Sequence, residues 1–332
     1  MTIFKSFNFF AFLSKKFEQI SKKSSITIWI LLLIFLIPVA FIVPEFFRLR
    51  NLNNVLIQMA PLGMVSIGQT FVILGGGIDM SVGSQISLVS IVASTLMTDS
   101  LISMIGVTAL CLIMGAFFGY INGLILKVFP IPPLIATLCT GYFFQGVAYA
   151  LHQTSGGYIP KIYKDVFTAS WGLISVPFFL FLLLFIFAYV LLSKKKLGRY
   201  VYALGGNAEV LDNIGVKSPE IKIKTYVISG LTSALVGLYL VAKLRSGSSH
   251  YGDDYTLLSI TAVIVGGTSM AGGIGTLSGT FAGAILVSML TNVLNNVAFR
   301  YNLQSAYYKD IITGLILIIA MIFYRKRTKN DF

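Results

Sequence analysis

Apolar residues do not alternate along this chain; they run. Blocks of about 20, the length that crosses a hydrocarbon layer as a helix, recur from end to end. They fall at 26–43, 53–74, 84–98, 101–128, 133–152, 172–193, 223–242, 256–271, 276–298 and 307–324. A transmembrane barrel is excluded, because its strands alternate apolar and polar positions. The pattern predicts an all-α polytopic membrane protein with about ten transmembrane helices. The least certain boundaries lie around Gly75–Gly83, where the two flanking segments are short or interrupted and one is expected to be a broken helix.

Composition agrees: of 332 residues 56% are hydrophobic and 11% charged, and the mean hydropathy is +0.85. A soluble domain of this size would need a more charged exterior. The net charge is +13, and 16 of the 25 basic residues sit in three blocks. Lys5, Lys15, Lys16, Lys22 and Lys23 precede the first apolar run. Lys194, Lys195, Lys196, Arg199, Lys217, Lys222 and Lys224 fill the centre, and Arg325, Lys326, Arg327 and Lys329 end the chain. The positive-inside tendency places all three in the cytoplasm, which explains the charge without nucleic acid. Even numbers of crossings on each side of the centre, six and four, fit that placement. The layout is then a basic amphipathic segment over 1–25 resting on the inner leaflet, with disorder as its alternative. One transmembrane domain spans 26–324, with a cytoplasmic loop at 194–222 inside it, and a basic cytoplasmic tail covers 325–332. A signal peptide is not expected, for no small-residue cleavage site follows the first apolar run.

Cys111 and Cys139 lie inside apolar runs and read as small buried hydrophobes. His152 and His250, the two histidines, are remote in sequence and argue against a metal site or a histidine-based triad.

The stretch "VILGGGIDMSVG", Val72–Gly83, raises a sharper question. Three glycines weaken a helix, and a carboxylate in hydrocarbon is costly. Irregular backbone at membrane depth survives only where protein buries it or a watery cavity adjoins it. Asp79 or Ser81 is expected to cap the helix that continues through "SQISLVS"; a direct role for Asp79 in gating is the alternative. "FVILGG" at 71–76 echoes "AVIVGG" at 262–267. Paired glycine-interrupted segments point to a midplane or path-lining site in a transporter, so Gly75, Gly76, Asp79, Ser81, Gly83, Gly266, Gly267, Thr268, Gly272 and Gly273 are pathway or gating candidates. Both loops come out cytoplasmic on the span count, which does not suit a simple inverted repeat: either a helix is broken or the echo is no repeat. Asn122, Gln145, Asn292 and Asn296 are polar residues within spans that could face the path, with interhelical hydrogen bonding as the commoner use of such residues.

The central segment contains "LGGNAEVLDNIGV". Asn207 reads as an N-cap, followed by a two-turn helix and Gly215 as its stop, with Pro219 resetting the chain. So short a helix is marginal alone and needs a surface to dock on, a partner's or the protein's own.

Three separated motifs resemble the membrane permeases of bacterial ABC-type monosaccharide importers, the ribose/xylose/galactose family. They are "TFVILGGGIDMSVGS", "GRYVYALGGNAEVLDNIGV" and "LLSITAVIVGGTSMAGGIGTLSGTFAGA", and the resemblance covers about 51–324. It implies a type II importer-like permease fold in the bacterial cytoplasmic (inner) membrane, with both termini inside. It implies as partners a second permease subunit (identical or different), a cytoplasmic ABC ATPase and an extracytoplasmic sugar-binding protein, with no nucleic acid. Gly198, Arg199, Tyr202, Ala203, Gly205, Gly206, Asn207, Ala208, Glu209 and Gly215 would form the ATPase-coupling element. No phosphate-binding loop of the G-x-x-x-x-G-K-[ST] type occurs, so the chain is expected not to be an enzyme and to hold no cofactor, ATP-Mg being the partner's. Departures from the family pattern are Val210, Leu211 and Asp212 in the coupling segment, Ile274 where a basic residue is common, and the basic N-terminal extension. A nucleoside or furanose importer of the same architecture is the near alternative. An ion-coupled secondary transporter relying on Asp79 and an intramembrane enzyme are distant ones.

Overall fold

The computed structural model describes residues 24–42, 44–171 and 174–300, together with Ile311 and Gly314. Helix α1 (Ser24–Ile42) and a 3-10 turn (Pro44–Phe47) lead into α2 (Leu49–Leu74). Then come α3 (Val82–Leu96), α4 (Leu101–Val128), α5 (Pro133–Leu151) and the short α6 (Lys161–Thr168). A two-residue antiparallel pair, β1 (Ser170–Trp171) with β2 (Ile174–Ser175), precedes α7 (Val176–Lys194). The centre folds as α8 (Lys196–Gly206) and α9 (Ala208–Asn213), followed by α10 (Ser218–Leu244), α11 (Asp253–Val265) and α12 (Leu277–Arg300).

The expectation of ten spanning helices is corrected. Six helices among the described residues are long and apolar enough to cross a membrane: α2, α4, α5, α7, α10 and α12. The apolar part of α1 is shorter. The expected span 84–98 is the 15-residue α3, and 256–271 is the 13-residue α11. At 1.5 Å per residue these reach only ~20 Å, short of a hydrocarbon layer of about 30 Å. Hydropathy measures how apolar a run is, not how much of it is helical. The expected span 307–324 apart from Ile311 and Gly314, the segment 1–25 apart from its last two residues, and the tail 325–332 lie outside the described residues.

α10 is the axis of the fold. It runs antiparallel to α2: Gly68 of α2 lies against Ser229 and Thr232, and Gln58 and Pro61 share a small cavity with Lys243. It is also antiparallel to α4, whose Gly115, Gly119 and Gly123 meet Gly230, Tyr226 and Ile223 in turn. Glycines at four-residue spacing let the two backbones approach, the usual way to pack helices where lipid supplies no hydrophobic drive. By contrast α3 runs parallel to α10, with Asp79 opposite Ser229 and Gly237 against Ile86 and Val89.

α2 and α10 are largely buried, whereas α4, α5 and α7 expose side chains such as Ile102, Ile113, Phe117, Phe143 and Phe187 on the outside of the bundle. Cys139 of α5 is exposed on that ring, against the expectation that both cysteines are buried; Cys111 is buried. An apolar run does not say which of its faces meets lipid. Phe181 of α7 fills the space at Gly63 and stacks with Phe185 and Phe281, tying α7 and α12 to α2. Asn292 is buried and its Oδ1 accepts from Asn51 and Asn296, a cross-link between α12 and the start of α2.

Candidate functional site

α2 ends at Leu74, and Gly75 caps it; Gly76, with φ +77°, turns the chain back. The next residues do not start a helix. Gly77–Asp79 climb back into the protein as irregular backbone, Met80 and Ser81 turn into α3, and polar groups along the stretch find protein partners. Gly77 N–H bonds the Val72 carbonyl at 2.9 Å. The Ile78 carbonyl accepts from Thr137 Oγ1 at 3.1 Å and Tyr226 Oη at 3.3 Å. Met80 N–H donates to Thr137 Oγ1 at 3.0 Å. This is the condition under which irregular backbone is tolerated at depth.

Asp79 is fully buried in this segment. Its Oδ1 accepts Ser81 N–H at 3.0 Å and Ser81 Oγ at 2.6 Å, and its Oδ2 accepts Ser229 Oγ at 2.8 Å. Ser81 is the residue preceding α3, and its own side chain caps nothing; its hydroxyl oxygen accepts instead from Gln85 at 2.7 Å and Asn122 at 2.8 Å. Thr140 Oγ1 donates to Asn122 Oδ1 at 2.6 Å. One carboxylate thus organises donors from α3, α4, α5 and α10, and its charge lies at the positive N-terminal end of α3.

The second glycine loop lies on the same side as the first. Gly266 ends α11, Gly267 (φ +88°) turns back, and Thr268 N–H bonds the Val263 carbonyl at 3.2 Å. The two loops touch: Gly273 N–H donates to the Leu74 carbonyl at 2.9 Å, and Gly272 packs on Gly76. Between them sits Gly205 from the end of α8. A Cβ there would lie 1.9 Å from the Leu74 oxygen and 2.4 Å from Gly273 N, so no other residue fits without moving the loops. Tyr202 Oη donates to the Gly275 carbonyl at 2.9 Å, and burial pushes this hydroxyl above its ordinary range, keeping it a donor. The two groups of sequence-derived candidates, one in the central segment and one in the glycine loops, form a single junction.

The remaining candidates of the central segment shape its surface. Gly198 lets α8 turn tightly against the Leu192 carbonyl. Asn207 Oδ1 accepts Glu209 N–H at 2.9 Å and caps α9, while Ala203 accepts Asn207 N–H. Gly215 follows α9 with φ +79°. Arg199, Gly206 and Glu209 are exposed, and Ala208 is half-buried. Among the departures from the family pattern, Leu211 is buried and anchors α9. Asp212 accepts Ser218 N–H and Oγ at 2.9 Å each, tying α9 to the start of α10. Val210 and Ile274 are exposed.

The proposed echo between 71–76 and 262–267 does not mark equivalent positions: the first ends a full-length helix, the second a half-helix. The structural counterpart of 75–81 is 245–252. Arg245 (φ +59°) ends α10, and the chain then descends from the opposite end to start α11 beside the start of α3. The descent is registered by Ser248 against Ser90 and by Gly252 N–H donating to Ser87 Oγ at 2.9 Å. In return Gly83 N–H donates to Thr256 Oγ1 at 3.1 Å. Each half-helix satisfies an orphan amide at the head of the other. Gly83 and Gly252 are in contact, and a Cβ on Gly252 would stand 1.8 Å from the Gly83 oxygen. The units α2–α3 and α10–α11 therefore run in opposite directions, with two half-helices meeting head to head at mid-depth, the construction of inverted-repeat transporters.

Ser229, Tyr226, Thr137, Gly252 and Thr256 were not anticipated. The polar run "SGSSHYGDD" at 246–254, set between apolar segments, was the available signal for Gly252.

A family model described as branched-chain amino acid transport system / permease component matches residues 51–321. The ribose import permease protein RbsC of Haemophilus influenzae is 34% identical, over 89% of this chain and 91% of its own. That of Bacillus subtilis is 35% identical, over 90% and 91%. The L-arabinose transport system permease protein AraH of Escherichia coli is 31% identical over 88% of each chain. No solved structure matches.

Proposed function

The chain belongs to this permease family, and we propose that it is the transmembrane subunit of an ATP-driven sugar importer, forming the pathway while a separate ATPase supplies the energy. The relatives named for ribose and L-arabinose import support sugar as the cargo. The observation that carries the coupling half of the reading is Gly205. The exposed face of α8 and α9 is where an ATPase would seat, and Gly205 is locked against both glycine loops. A push on α9 then moves Leu74–Gly77, and with it the Asp79 segment, and at the same time moves Gly272–Gly275. Two copies of the chain, or this chain and a related one, would enclose the path; the basic end would face the cytoplasm along with both termini, and a binding protein would deliver sugar at the other end.

The test is reconstitution with the cognate ATPase and binding protein in liposomes, reading ATP-dependent uptake of labelled ribose and arabinose. Wild type is expected to accumulate sugar. Gly205→Ala is expected to copurify with the ATPase while losing at least about tenfold in uptake, because the obstructed backbone changes an interaction used only in transmission. Wild type that never binds an ATPase overturns the importer reading; a Gly205→Ala variant with wild-type uptake overturns the junction as its transmission.

A further inference from the structure

On one flank of the head-to-head half-helices lies a cleft of about 310 Å³, at the lower end of the range for small-molecule sites. Ser84 from α3, Tyr142, Gln145 and Tyr149 from α5, and Asp253 and Thr256 from α11 line it. Its depth follows from its neighbours. Gly83 lies between the levels of Ser229 and Gly237, near the middle of the 27-residue α10. From there the cleft rises toward the end opposite the basic cluster, to where Tyr149 meets His250 with ring centroids 5.6 Å apart.

Among the described residues this flank is open. His250 Nδ1 lies 2.9 Å from Asp253 Oδ2, with side chains 60% and 55% exposed, and Tyr142 is 71% exposed. A carboxylate and an imidazole so placed are too costly to face acyl chains at that depth. They belong against water. The chemistry is also selective: two tyrosine rings offer flat apolar faces with hydroxyl rims, suited to the C–H face of a sugar ring. Asp253 offers acceptor oxygens for hydroxyl groups, while the Gln145 amide is held in place by donating to the Ser249 carbonyl at 2.7 Å. Among the described residues no basic side chain lines the cleft, so none there offers an anion a partner.

The geometry points to a way-station for a neutral monosaccharide in this cleft, on the aqueous path at the junction of α3, α5 and α11. It rests on the importer reading for its cargo, but the placement of the path is independent of the ATPase. Gln145, one of several polar residues in the spans, becomes a positioning residue of this subsite, and Tyr142, Tyr149 and Asp253 become the groups that touch the sugar.

The experiment uses the full-length permease with Cys139→Ser, which removes the exposed native thiol. Into it are placed Tyr142→Cys or, as the exposed apolar comparison one residue on and outside the cleft lining, Phe143→Cys. Each is treated in proteoliposomes with a charged, membrane-impermeant methanethiosulfonate or with its lipophilic benzyl analogue, with and without ribose, arabinose or xylose. The expected result is reaction of Tyr142→Cys with the charged reagent, slowed several-fold by at least one of the sugars, while Phe143→Cys reacts only with the lipophilic one. Reaction of Tyr142→Cys with the lipophilic reagent alone, or with neither, overturns the aqueous path. Reaction with the charged reagent that no sugar slows overturns the sugar subsite. Asp253→Asn supplies a second reading in the complete transporter: reduced uptake with retained ATPase binding supports the subsite, and unchanged uptake overturns it. Failure of wild-type uptake is separate and counts against the importer reading, since labelling needs no ATPase.

Discussion

The two segments that lead into the half-helices solve one problem in opposite ways. Gly77–Ser81 is sealed: its carboxylate is inaccessible, and every partner of Asp79 is a neutral donor from the protein. Ser246–Asp253 is half open: its backbone is registered on α3 through Ser87 and Ser90, but its charged side chains point outward. Both carry acids near a helix N-terminus, where the dipole favours negative charge. Only the first spends that charge entirely inside the fold. A buried acid surrounded by hydroxyls is a structural latch, and an acid on an open cleft is available to a passing solute. The opposite directions of the two units place the latch toward the basic end and the open acid toward the other.

The largest expected effect tests the latch. Asp79→Ala leaves Ser81 and Ser229 hydroxyls and an amide facing an empty site, and each buried group without a partner costs about 1–3 kcal/mol. The variant is expected to lose most of its folded yield, with a lowered midpoint in detergent thermal unfolding. Asp79→Asn, which keeps the acceptor oxygen, is expected to fall between it and wild type. If both variants unfold and transport as wild type does, Asp79 is no latch, and the contrast with Asp253 collapses.

An intermediate effect tests the symmetry. Thr256→Val removes the acceptor of the Gly83 amide, and Ser87→Ala removes that of Gly252. If the two units are equivalent, each loss is expected to destabilise by about 1 kcal/mol, and the double variant should be close to additive or slightly better than additive because the two bonds share one contact. A large loss from one and none from the other in the same unfolding assay would show that the heads are not equivalent.

How far the sequence revealed this arrangement depends on whether the relevant interaction is local. The six long helices follow from apolar runs, and the Asn207 cap and Gly215 stop follow from residues within one turn of each other. Asp79 was singled out by its chemistry, but its partner Ser229 stands 150 positions away, and no local pattern links them. The half-helices were missed as such because 84–98 and 256–271 read as apolar runs throughout, and hydropathy does not show where such a run leaves the helix. The echo between 71–76 and 262–267 misled for a related reason: two glycine pairs that terminate helices on the same side look alike in sequence, although one closes a full crossing and the other half of one. The true counterpart, 245–252, is polar because its groups bond α3 and α5 through Ser248, Ser249 and Gly252, while His250 meets the open cleft.

The smallest effect is the most discriminating for the open segment. His250→Gln breaks the pair with Asp253, and both side chains are more than half exposed. Exposed pairs add little to stability, so the unfolding midpoint should move by no more than about 0.5 kcal/mol equivalent. Uptake is the readout that separates the alternatives. If Asp253 serves the path, freeing it from His250 changes the acceptor that a hydroxyl group meets, and the concentration dependence of sugar uptake should shift with the fold unchanged. If His250 and Asp253 serve only to hold 245–252 in place, uptake and unfolding should move together or not at all. A stability loss as large as that of Asp79→Ala would make the second segment a latch like the first, and the division between a sealed and an open acid would have to be abandoned.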